Sequence, residues 1–197
     1  MDCDRISRVQ NNLDAAGLEA VVCALPSNVL LLTGYWPVVA ESIAICVRGG
    51  PTVLLVPEDE ADLAEAGFAD SIETFVPETL NETRSLLEAV KPRLADILHK
   101  LKIKPGSIGV ESGASSQAAS YLAIYLFGDE LTGMLRELLP DSKLTSIEEW
   151  IQNSSSVKTS LDLERIRQAC LIAGKAFELG VIQIRAGMTE HEAAQLF

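Results

Sequence analysis

Histidine is the side chain best suited to move protons or bind metals near neutral pH, and this chain has two, His99 and His191. The run His191-Glu192-Ala193-Ala194-Gln195 begins like a zinc-protease helix, in which histidines four residues apart share one face. Gln195 stands where the second histidine must be, so His191 reads as a solvated residue at a helix start. His99, beside Lys100 in an amphipathic stretch, reads as surface. Gly109-Val110-Glu111-Ser112-Gly113 has the outline of a nucleophile elbow, but that motif needs glycines two residues either side of its serine. A strand running into a turn fits better. Glu58, Asp59, Glu60, Asp62 and Glu65 offer carboxylates to a cation, yet lack the glycine and terminal glutamate of a calcium loop. They read as a solvated helix start. There is no Walker-type phosphate loop and no GxGxxG. Cys3, Cys23, Cys46 and Cys170 are scattered without a CxxC spacing, which predicts buried reduced thiols rather than disulfides. One aromatic pair remains: Tyr35 and Trp36 follow Thr33-Gly34 and precede Pro37, on a connecting loop. Such rings either cap the edge of a core or offer a flat stacking surface. Composition and spacing name no reaction.

The elements that must position these residues follow from periodicity. Ile6, Val9, Leu13 and Ala16 recur at helical spacing before Gly17, and Ala20 to Ala24 reads as a buried strand. Pro26-Ser27-Asn28 opens a second helix that Gly34 closes. Ser42 to Arg48 and Thr52 to Val56 are β-rich runs joined by Gly49-Gly50-Pro51, which predicts a hairpin. Pro57 to Glu60 starts another helix, and Ser71 to Val76 is a strand. Leu86, Leu87, Val90, Leu94, Ile97, Leu98 and Leu101 form a long stripe that Pro92 should kink or split. Ser107 to Glu111 reads as a strand, Gln117 to Phe127 as a helix, Lys143 to Ser146 as a short strand and Ile147 to Gln152 as a helix. This alternation predicts an α/β fold, a mixed sheet with helices on both faces.

Asn153-Ser154-Ser155-Ser156 can start a linker. Beyond it, Thr159-x-x-Asp162 resembles a capping box, and Ile166, Ala169, Cys170, Ala173, Phe177, Gly180 and Ile184 keep one apolar stripe. A single helix of roughly 40 Å ending at Gly187 is expected. Thr189-x-x-Glu192 caps a new helix, too short to stand unless packed. A long helix followed by a freshly capped one reads as the opening of a second domain, hence a fragment of a longer polypeptide. The stripe should pack on that domain or on a second copy of the chain.

The 197 residues carry 28 acidic and 16 basic side chains, a net charge of −12 that works against nucleic-acid and anionic-membrane partners. At 48% apolar and 22% charged, the composition is globular and the chain is long enough to fold without a disulfide or metal staple. Asp2, Asp4 and Arg5 do not begin a signal peptide, and no apolar run reaches the ~20 residues of a membrane span, so a cytoplasmic protein is expected.

Four segments together resemble one family. Ser27-Asn28-Val29-Leu30-Leu31-Leu32-Thr33-Gly34-Tyr35 is similar to the "N-I-x-Y-L-T-G-F/Y" segment of the creatinase/prolidase N-terminal domain. Ile108-Gly109-Val110-Glu111 followed by Tyr121-Leu122 resembles its "I-G-V-E…Y". Val157-Lys158-Thr159 with Glu164-Arg165-Ile166-Arg167-Gln168-Ala169 resembles the entrance to the family's "pita-bread" catalytic domain, and Ala186-Gly187-Met188-Thr189-Glu190-x-Glu192 the "G-M-T-E-x-E" beyond it.

The resemblance implies a creatinase/prolidase-like N-terminal domain over residues 1–155, then linker and opening helices of an incomplete catalytic domain over 156–197. The family comprises Xaa-Pro aminopeptidases and dipeptidases, creatinases and related amidohydrolases acting on peptide or small amide substrates. Its catalytic domain holds a pair of divalent metals (manganese, cobalt or zinc) on two aspartates, a histidine and two glutamates. Those positions would lie beyond Phe197, so no catalytic residue or metal ligand is assigned and this chain alone should be inactive. The resemblance further implies a homodimer in which this domain narrows the partner subunit's active-site mouth, with Tyr35 and Trp36 as a substrate-access loop. The alternative is a stand-alone α/β binding or interaction module without hydrolase activity.

Overall fold

The computed structural model describes residues 3–39, 41–77, 84–111 and 128–196. The chain divides into two compact units, Met1–Ser156 and Val157–Phe197. In the first, the element order is α1 (Cys3–Ala16), β1 (Leu18–Cys23), α2 (Pro26–Thr33), β2 (Ile43–Val47), β3 (Thr52–Pro57), a 3-10 turn (Glu58–Glu60), α3 (Ala61–Ala64), β4 (Ser71–Phe75), α4 (Leu86–Leu101), β5 (Ser107–Val110), α5 (Asp129–Leu138), β6 (Lys143–Ser146) and α6 (Glu148–Ser156).

The six strands form one mixed sheet in the order β4-β3-β2-β1-β5-β6. Strand β2 runs antiparallel to β1 and, across the hairpin, to β3; the remaining pairs are parallel. Central strands covered on both faces should be continuously apolar rather than alternating, and 20–23 of β1 and 53–57 of β3 are so. In β1, Ala20 and Val22 enter one core with Val90, Leu94, Ile97, Leu131 and Leu135 of α4 and α5. Val21 and Cys23 enter the other, with Val9 and Leu13 of α1, Val29 and Leu32 of α2, and Ile147. The expected α/β architecture is present.

Several local expectations give way. The helix α4 runs unbroken through Pro92, because Val90, Leu94, Ile97 and Leu98 on both sides of it are buried and outweigh one missing backbone hydrogen bond. Helix α5 was not anticipated: Gly128 precedes it, and its burial rests on only four residues, Leu131, Thr132, Met134 and Leu135. The helix expected over Gln117–Phe127 and the serine of the Glu111-Ser112-Gly113 turn lie outside the described residues. Asn153–Ser156 are not a loop but the last turn of α6, where Ser155 and Ser156 donate back to the carbonyls of Gln152 and Asn153.

The second unit contains α7 (Ser160–Val181) and α8 (Glu190–Ala194). Both begin at the expected capping boxes, Thr159 with Asp162 and Thr189 with Glu192. Helix α7 is 22 residues, about 33 Å, and stops at Val181 rather than at Gly187. Its apolar stripe is exposed at Ile166 and Phe177, and Cys170 is an exposed thiol, not a buried one. Among the described residues, no helix is long and apolar enough to cross a membrane.

Candidate functional site

Two buried carboxylates organise the segment that contains Tyr35 and Trp36. The first lies at its start. Glu111 follows β5 and is 3% exposed. It accepts from the N–H groups of Ala24 at 2.8 Å and Leu25 at 3.1 Å and from Asn28 Nδ2 at 2.7 Å. These donors sit where β1 hands over to α2, so Glu111 satisfies backbone groups that the helix start would otherwise strand. Burial pushes its carboxyl above the usual glutamate range, and the same hydrogen bonds hold that rise in check. The Cys23 thiol is pushed well up by burial and by facing Glu111, which makes it a poor nucleophile.

Glu111 also lines a cleft of about 280 Å³ with Ser27, Asn28, Glu148 and Gln152. The cleft opens at the carboxyl ends of β1 and β5, from which the chain departs in opposite directions along the sheet, towards β2 and β6. Ligands of open α/β sheets favour that position. The lone pairs of Glu111 are already engaged by backbone and Asn28, so it is not placed to act as a general base.

The segment's other end is built from Thr33 to Val39. Gly34 ends α2 in the left-handed conformation, φ 73°, its N–H donating to the Leu30 carbonyl. A Cβ there would meet the Phe68 ring at 2.5 Å, so glycine is required twice over. Thr33 reinforces the turn: its hydroxyl donates to the Val29 carbonyl at 2.7 Å and accepts from the Tyr35 N–H at 3.2 Å. Tyr35 is buried in the core, and its hydroxyl donates to Glu60. Trp36, by contrast, is 51% exposed. The two rings expected to act as a pair are thus separated, one inside and one outside.

Glu60 was read as part of a solvated acidic helix start. It is 4% exposed instead, because the 3-10 turn points it inward to meet the Tyr35 hydroxyl and the N–H groups of Val38 and Val39. Nothing in the acidic run Glu58-Asp59-Glu60 distinguishes it. Glu111 and Asn28 did lie within resembling motifs, which was the available signal for them. His99 is exposed as expected. His191 is exposed in α8 and its ring nitrogen lies 2.9 Å from the amide of Gln195, the residue standing at the second-histidine position.

Among the described residues, no group of three or more His, Cys, Asp or Glu side chains is placed to hold a metal ion. A two-metal centre therefore does not fit the described residues, and no chemical step is derived through one.

Comparison with known proteins places this geometry. The family model of the creatinase/prolidase N-terminal domain matches residues 5–157. The Xaa-Pro dipeptidase of Pyrococcus horikoshii is 24% identical over 191 residues, 97% of this chain and 45% of that protein. Its relative from Pyrococcus furiosus is also 24% identical, over 97% of this chain and 46% of that one. The chain spans about half the length of the curated relatives it matches. Among solved structures, the X-Pro aminopeptidase of Thermotoga maritima superposes with a TM-score of 0.68 at 21% identity, over 94% of this chain and 47% of that one. The prolidase of Pyrococcus horikoshii gives 0.66 at 19% identity, over 98% and 47%. With a family model spanning the sheet, both carboxylate clasps and the loop between them, this chain belongs to the creatinase/prolidase N-terminal domain family.

Proposed function

We propose that residues 1–155 form the non-catalytic N-terminal domain of a metal-dependent hydrolase acting on Xaa-Pro peptides, and that residues 156–197 are the opening helices of its catalytic domain. The observation that carries this reading is the family match over 5–157, in a chain that spans about half of relatives named Xaa-Pro dipeptidase. The domain's task is to form a homodimer and restrict access to the partner subunit's active site, in the cytoplasm. Trp36 is the residue suited to that restriction, since it is exposed beside a buried Tyr35 and can stack on proline rings and short apolar side chains. The metals are two divalent ions of the manganese, cobalt or zinc type, held by residues outside this chain.

The test uses the native-length protein isolated from its source cells. Expected are a mass well above 21.2 kDa, metal-dependent hydrolysis of Xaa-Pro peptides, and a dimer by light scattering. A native species of 21.2 kDa without hydrolysis would instead identify a stand-alone α/β binding module.

A further inference from the structure

Tyr35, Trp36, Pro37 and Val38 are alternately buried, exposed, buried and exposed, so Trp36 and Val38 both reach solvent beside buried neighbours. Residues 36–39 belong to no strand or helix, and their backbone has no ladder to hold it. An exposed tryptophan on an untethered loop would sample many positions, and each would present a different wall to a ligand.

Three of its tethers end on one side chain. The Tyr35 hydroxyl and the Val38 N–H both donate to Glu60 Oε2, the latter at 3.1 Å, while the Val39 N–H donates to Oε1 at 3.0 Å. The donors bracket Trp36 in sequence, one residue before it and two after. Glu60 is itself fixed at the end of the turn that leaves β3, so the loop is referenced to a central strand of the sheet. A carboxylate suits this position because it accepts on both oxygens and carries no hydrogen. Glutamine has the same shape but would turn an amide N–H towards at least one of these donors. Burial, then the Glu60 carboxylate, push the Tyr35 hydroxyl's proton loss far above its ordinary range, so Tyr35 stays a donor at any working pH.

We propose that Glu60 is a positioning residue for substrate-length selection: it clamps residues 35–39 so that Trp36 and Val38 form a fixed apolar rim. The role rests on the reading of this loop as an access restriction, whereas the clamp itself does not. Glu60 touches no substrate and acts through Trp36.

The test separates the two. In the native-length protein, hydrogen exchange of the Val38 and Val39 amides is compared between the parent, Glu60→Gln and the milder Tyr35→Phe. Amides of β2 and β3 report whether the fold is intact. The expected result is roughly ten-fold or faster exchange at Val38 and Val39 in Glu60→Gln, with β2 and β3 unchanged. Unchanged exchange at both amides overturns the clamp, whatever the protein hydrolyses. If Glu60→Gln does not fold, Tyr35→Phe, which keeps the carboxylate and removes one of its three donors, must show a smaller acceleration at the same two amides, or the clamp is overturned.

Kinetics on short and long Xaa-Pro substrates then read the selection. Glu60→Gln and Trp36→Ala should both change the long-to-short ratio of KM by roughly three-fold or more. A shift in Trp36→Ala without one in Glu60→Gln would overturn the positioning role while leaving the access loop standing. No shift in either would overturn both.

Discussion

The segment from Ala24 to Val39 is held at its two ends by buried glutamates, and the two clasps differ in what surrounds them. Glu111 closes on donors that are themselves buried, at the handover from β1 to α2. Glu60 closes on one buried donor, the Tyr35 hydroxyl, and on two amides of a half-exposed loop. When a clasp fails inside, its donors stay dry and unpaired. When a clasp fails at the rim, water replaces it. The same side chain thus builds architecture at one end and holds a surface feature in place at the other.

The largest expected effect separates the ends directly. Glu111→Ala strands two backbone N–H groups and the Asn28 amide, and should cost about 3 kcal/mol in denaturant unfolding. Gly34→Ala should follow at about 2 kcal/mol, from the left-handed backbone alone, with the contact against Phe68 adding to it. Glu60→Gln should cost about 1 kcal/mol, because its loop amides can turn to water. Equal losses for Glu111→Ala and Glu60→Gln would break the contrast.

Titration sharpens it. Burial raises the folded-state value of Glu111, so its carboxyl binds a proton more readily in the folded chain than in the unfolded one. Its contribution to stability is full below the unfolded glutamate value and is lost as pH rises through the raised folded value. Unfolding followed across that window should therefore show stability falling with pH, and Glu111→Gln should flatten this part of the profile. Glu88 and Glu192, the capping-box acids of α4 and α8, have lowered values, first through the backbone N–H groups of Ser85 and Thr189. Their small contributions carry the opposite sign, lost as pH falls through the lowered values. Smallest of all, Trp36→Ala should shift the melting temperature little, within about 0.5 kcal/mol, because its ring is half in water.

Much of the first unit was legible because its signals are local. The apolar runs 20–23 in β1 and 53–57 in β3, the Gly49-Gly50-Pro51 hairpin, and the glycine stop at Gly34 each state their structure within a few residues. Helix α5 carries a local signal as well, Leu131, Met134, Leu135 and Leu138 at helical spacing, of which the first three are buried. Pro92 was over-read because a stripe on both sides of a proline can hold a helix together when a sheet lies beneath it. Glu60 was missed for a different reason: two acids beside it are exposed, and the one that turns inward is chosen by a tyrosine twenty-five residues away.

By itself the sequence determined the α/β class, the strands that could be central, the glycine at the end of α2 and the capping boxes that start α7 and α8. These depend on period, turn chemistry and hydrogen bonds between residues three or four apart. Only the tertiary structure decided which carboxylates go inside and which ring of the Tyr35-Trp36 pair stays out. A glutamate is stable in the interior only where several donors converge, and the donors to Glu60 and Glu111 come from segments distant in sequence. That convergence exists only once the sheet has brought the segments together.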